Sequence, residues 1–185
     1  ARDSIAASSL PGGADYYAML VARHTGTSMT PAEVHALGLR EVARLRNDAR
    51  GAIARTGFNG SFAQFAAFAN SDPRLFYSSA EQLLARYRRL VARAHERLPD
   101  LFSTMPGEDL VVKQARASGG MAGGAYYEEG SPGRPAGFVV NTTRLETRPK
   151  WETETLALHE GVPGHHLQVA IGHRLEGLPA FRRHA

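Results

Sequence analysis

The chain has 185 residues, is 43% hydrophobic and 22% charged, and carries a formal net charge of +4. That suffices for a domain with a real core, and no apolar run approaches the roughly 18 residues that a membrane span needs. There is no cysteine, which excludes a disulfide scaffold, a cysteine nucleophile and a thiolate metal site, so any metal must be held by histidine and carboxylate. The cations are nearly all arginine and sit beside acids along predicted helices, which reads as a solvated helical surface and not as a nucleic-acid interface.

Residues 1–13, rich in Ala and Ser with Pro11, Gly12 and Gly13, read as a connector. Residues 14–106 read as a helical scaffold. A short helix runs from Asp15 to His24. Thr30-Pro31-Ala32-Glu33 is a helix start with a capping box and proline at the first helical position. Val34, Leu37, Val42, Leu45, Ala49 and Ile53 follow near a 3.6 period, up to a stop at Gly57. Ser61 with Gln64 opens a second short helix whose Phe62, Phe65 and Phe68 are expected in a core. Ser78 and Ser79 open a further helix, with Leu83, Leu84, Tyr87, Leu90, Val91, Ala94 and Leu98 on one face, arginines on the other and Pro99 at its end.

The pattern changes after Pro106. Asp109–Ala115, Ala125–Tyr127 and Gly137–Thr142 read as short strands around a glycine loop at 117–124. Residues 107–142 are therefore expected to form a small antiparallel sheet inside a mainly α chain of α+β class. All of this is expected to be one domain, with residues 149–185 carrying a further helix.

That helix bears the chemistry. WETETLALHEGVPGHHLQ, from Trp151 to Gln168, places three histidines and a glutamate around a Gly-Val-Pro-Gly break. In the compact zinc-hydrolase arrangement, H-E-x-x-H, two histidines one turn apart hold the metal and the glutamate faces the attacking water. Here the second histidine comes two residues late. On an ideal helix, His166 lies about 10 Å along the axis from His159, and His165 points about 120° away. Pro163 cannot donate to the carbonyl of His159, and Gly161 and Gly164 loosen the backbone. A two-residue bulge would bring His165 to the metal beside His159. A kink would instead tip in His166. The first is preferred, with His166 left as a donor to substrate or transition state. His173 is expected at the surface, and His24, His35, His95 and His184 have no ligand grouping.

HEGVPGHHLQ resembles the signature of the bacterial family catalogued as domain of unknown function 885, whose members resemble zinc-dependent metallopeptidases of the thermolysin-like group. TPAEVHALGLREVARL and GFVVNTT are similar to that family as well. The resemblance implies His159 and His165 as zinc ligands and Glu160 as general base. Family members are much longer and continue into a segment with an E-G-W-A-L-Y-like motif whose glutamate looks like the third ligand. None follows His166 here, and Glu176 lies too far along the same helix. The chain is therefore expected to be part of a longer one. By the same likeness, an edge strand beside the zinc helix pairs with substrate. Gly137–Asn141 is expected to be that strand, with Asn141, Tyr126 and Tyr127 as substrate contacts and the glycine loop as a flap.

The expected activity is peptide hydrolysis by metal-bound water, with Zn2+ as cofactor, a peptide as partner, and neither nucleic acid nor membrane span. The alternative is a non-catalytic peptide- or metal-binding protein of the same fold.

Overall fold

The computed structural model describes residues 4–116, 123–131 and 133–183. It divides into two compact units, Ala1–Ala67 and Phe68–Ala185. Among the described residues both are helical except for one three-stranded sheet in the second.

The first unit holds α1 (Gly13–Thr25), α2 (Pro31–Arg55) and the start of α3 (Phe62–Ser71). α2 begins as its sequence dictates: Glu33 N–H donates to Thr30 Oγ1 at 3.3 Å, and Thr30 N–H donates to the Glu33 carboxylate at 2.7 Å. The Thr30 amide and hydroxyl, both donating to that carboxylate, hold it below its ordinary range. The apolar stripe of α2 differs from expectation. Leu37, Val42 and Leu45 are exposed and only Ile53 is buried. Phe62 and Phe68 of α3 are also exposed, while Phe65 is half-buried and packs edge-to-face on Phe58 at 5.3 Å. A 3.6-residue period identifies the apolar side of a helix. It does not specify what covers that side.

The second unit is built on α4 (Ala80–Arg97). Ser79 caps it, accepting from Gln82 N–H at 3.2 Å. Leu83, Leu84, Tyr87, Leu90 and Val91 form its buried face, as their spacing requires. Ser79→Ala should lower the stability of this unit by about 1 kcal/mol, because the first turn loses its side-chain acceptor; denaturant titration followed by circular dichroism measures the change.

α4 packs against β1 (Leu110–Gln114), β2 (Ala125–Glu128) and β3 (Ala136–Val140). The sheet order is β1-β3-β2, with β1 parallel and β2 antiparallel to β3. The sheet is thus mixed, where an antiparallel one was expected. β3, expected at the edge, is the central strand, and all five of its residues are buried. With neighbours on both sides its backbone has no room for a further strand. The core joins α4 and this sheet to Ala157, Val162 and Leu167 of the motif segment. Phe138 lies at its centre, 0% exposed, edge-to-face with Tyr87 at 4.8 Å. Positions 117–122 of the glycine loop, the expected flap, lie outside the described residues.

The motif segment is tied down before its chemistry begins. Lys150 Nζ donates to the Arg74 carbonyl at 2.8 Å, the hydroxyls of Tyr77 and Thr153 lie 3.2 Å apart, and Trp151 packs edge-on against Phe76. All three anchors precede α4, so the start of the motif helix is fixed relative to that helix.

Candidate metal centre

α5 (Thr153–Leu156) does not continue as a regular helix. It passes into a π turn, Ala157–Gly161, and then into an extended Val162 (φ −118°, ψ 128°) followed by a cis bond to Pro163. α6 (Gly164–Arg174) restarts immediately afterwards. π turns inside helices occur often at functional sites. The inner side of this one is held by packing. Ala157, Gly161 and Val162 are buried, and a Cβ at Gly161 would already stand 3.2 Å from Val91 Cγ2 and 3.5 Å from Leu110 Cδ2. His159 is thereby left exposed on the outer side, with Glu160 half-buried beside it.

Gly164 is the point where the two helical pieces meet. A Cβ there would overlap the His159 carbonyl oxygen and lie 2.5 Å from the His159 carbonyl carbon. Only a residue without a side chain lets the start of α6 rest on the backbone of His159. The interruption therefore folds the chain back, and His165 arrives beside His159. Their rings are 4.9 Å apart at 87°. In an unbroken helix six residues rise about 9 Å.

Glu160 lies between them. Its Oε1 is 4.0 Å from His159 Nε2, and its Oε2 is 3.9 Å from His165 Nε2. One ligand atom from each of the three residues falls within 4.8 Å of the others, the one such His/Cys/Asp/Glu group among the described residues. Two ligands on one tetrahedral zinc at about 2.0–2.1 Å stand about 3.4 Å apart. Small rotations of the two accessible imidazoles close the remaining gap, so the donor set fits a divalent metal.

The carboxylate is also fixed from the sheet side. Tyr127 N–H of β2 donates to Glu160 Oε2 at 3.0 Å. The Tyr127 ring stacks along His165, centroids 6.2 Å apart at 27°. Its hydroxyl is buried without a hydrogen-bond partner, and burial, helped by Glu108 and Glu129, pushes its pKa up to about 12.

The other expected site residues lie elsewhere. His166, expected to face substrate, is 1% exposed and turned inward, with its Nε2 3.0 Å from the Glu108 carbonyl oxygen. Consecutive helical residues diverge by about 100°, so once α6 presents His165 to the group it sends His166 into the core. Burial lowers the pKa of His166, partly opposed by the Glu108 carbonyl. Asn141 is buried and spends its side chain locally: Oδ1 accepts from Thr143 N–H (3.0 Å) and Thr143 Oγ1 (2.7 Å), and Nδ2 donates to the Gly123 carbonyl (3.1 Å). Tyr126 is exposed, on the face of β2 opposite Tyr127. His173 is not at the surface; it is half-buried, with Nε2 2.8 Å from Glu129 Oε1. His24, His35 and His95 are exposed, and His184 lies outside the described residues.

Two features of this region leave no signal in the sequence. The Tyr127 amide acts through the main chain, which residue type does not encode. Arg182 and Arg183 of α7 (Ala180–Arg183) share a groove with His159, yet they lie in a stretch without motif or period.

A family model described as "Bacterial protein of unknown function (DUF885)" matches residues 1–185. No curated protein matches the chain. Among solved structures it is similar to "The crystal structure of the putative lipoprotein from Colwellia psychrerythraea", with 25% identity and a TM-score of 0.78. That match covers 93% of this chain and 31% of the other, so the present chain spans about a third of that relative's length.

Proposed function

The chain belongs to the bacterial DUF885 family, and on that premise we propose that it carries the metal-binding and base-bearing part of a zinc-dependent peptidase-like hydrolase. The carrying observation is the convergence of His159, Glu160 and His165 across a six-residue spacing that a regular helix would keep apart. His159 and His165 hold the metal, and a further ligand comes from outside this group. A set of imidazole and carboxylate donors without thiolate suits zinc. Bound zinc supplies Lewis-acid polarisation of the scissile carbonyl and acidifies water.

The protein's own residues do the rest. Glu160 takes the proton of the attacking water and delivers it to the leaving amine. The Tyr127 amide occupies Oε2 and so directs Oε1 to that task. The Tyr127 ring limits the swing of His165. Among the described residues β2, not β3, is the strand beside the site that has no strand on its outer side. Its Tyr127 carbonyl and the Ala125 backbone face away from β3 and offer hydrogen bonds to an extended peptide. Tyr126 flanks the opposite face of that edge. His166 and Asn141 act by positioning: His166 ties α6 to the segment before β1, and Asn141 shapes the end of β3.

A second reading rests on the same geometry. Both carboxylate oxygens of Glu160 approach a histidine nitrogen, so Glu160 could complete the ligand set, giving a metal-binding protein without a free base. Glu160→Gln separates the two. The hydrolase reading expects near-stoichiometric zinc by elemental analysis and peptide hydrolysis reduced at least about 100-fold, the scale of general-base removal. Loss of zinc in that variant favours Glu160 as ligand. Retained hydrolysis sinks the role of base.

A further inference from the structure

A groove of about 940 Å³ opens beside His159 along α6, within the size range of small-ligand sites. Leu158, Leu167, Ile171 and Leu175 give it apolar walls, and Arg182 and Arg183 line it from α7. Two features make it more than an apolar cleft. Arg183 is half-buried, and its Nε makes no hydrogen bond within the protein, so this donor is not committed elsewhere on the chain. The carboxylate in the same wall, Glu129, is already paired with His173 at 2.8 Å. The groove thus combines apolar walls, two guanidinium groups and a candidate metal ligand.

We propose that this groove receives the C-terminal residue of a peptide, with an apolar side chain against Leu158, Leu167 and Ile171 and its free carboxylate held by Arg183 with Arg182. The inference rests on the hydrolase reading, since His159 borders the groove. It makes the last peptide bond the one presented to the metal group. Hydrolysis there adds the water oxygen to the acyl carbon and breaks the C–N bond. The departing amine of an apolar amino acid takes up the proton carried by Glu160. A planar, bidentate donor suits a carboxylate. Apolar walls disfavour a charged side chain at that position.

The test is calorimetric titration of the full chain after chelation and dialysis, so that neither turnover nor coordination of the ligand carboxylate by metal contributes. The probes are acetyl-Ala-Ala-Leu with a free carboxylate, its C-terminal amide, and an amidated peptide with Glu before the terminal Leu. The expected result is that the free acid binds at least tenfold more tightly than both amides. Arg182→Gln with Arg183→Gln should erase that preference while leaving the circular dichroism spectrum unchanged. Equal binding of acid and amide, no binding of any probe, or a preference that survives the double substitution overturns the proposal. Equal binding of the Glu-bearing amide overturns it in favour of an internal acidic residue. Because the measurement is metal-free, failure of the hydrolase reading in Glu160→Gln leaves this result independent.

Discussion

Gly164→Ala should abolish stoichiometric metal binding and lower the stability of the second unit. The added methyl would have to occupy the space of the His159 carbonyl group. No rotamer relieves this, because Cβ position is set by the backbone and the obstructing atoms are themselves backbone. Relief requires the start of α6 to move away from the π turn, which separates His165 from His159. Overpacking of this kind typically costs about 1–3 kcal/mol, and the site pays in geometry besides. Elemental analysis of the purified variant, with its unfolding midpoint, checks both parts. Gly161→Ala is the control: its Cβ would meet side-chain methyls at 3.2 and 3.5 Å, which can shift by a few tenths of an ångström, so metal binding should survive.

Phe138→Ala should be the most destabilising single truncation in the core, at about 3–5 kcal/mol. The ring is fully enclosed, packs edge-on against Tyr87 and approaches Gly161 of the π turn. Against a total stability of about 5–15 kcal/mol for a typical domain, that loss leaves a small margin. Urea unfolding should show a lower midpoint with little change in slope. Metal affinity should fall as well, because the wall that supports the π turn is removed. A loss under about 1 kcal/mol would mean that the surrounding side chains collapse into the space.

Those two positions mark how far the sequence could be read. The break between His159 and His165 was legible because Gly161, Pro163 and Gly164 each disfavour regular helix, and the ligand spacing demanded either a bulge or a kink. A π turn with an extended residue after it meets that demand. The choice of His165 over His166 follows only once the restart of α6 at Gly164 is known, because that restart sets the phase of the helix. The buried face of α4 was legible from its period, and its Ser79 cap from residue chemistry. Strand direction was not. Alternation of apolar residues is the same for parallel and antiparallel neighbours, so nothing in GFVVNT announces a central strand. The exposed stripe of α2 has the complementary cause: amphipathic spacing records the existence of an apolar side, and its cover belongs to tertiary structure.

The anchoring of Glu160 by β2 has a consequence for how this site tolerates change. The donor at position 127 is an amide that every residue but proline possesses. Replacing the tyrosine with phenylalanine, leucine or valine alters the wall beside His165 and leaves the carboxylate tethered. The orientation of the acid is thus stored in strand register and is invisible to a comparison of side chains. Relatives could diverge freely at this position and still aim the same oxygen, provided that the strand keeps its place and admits no proline.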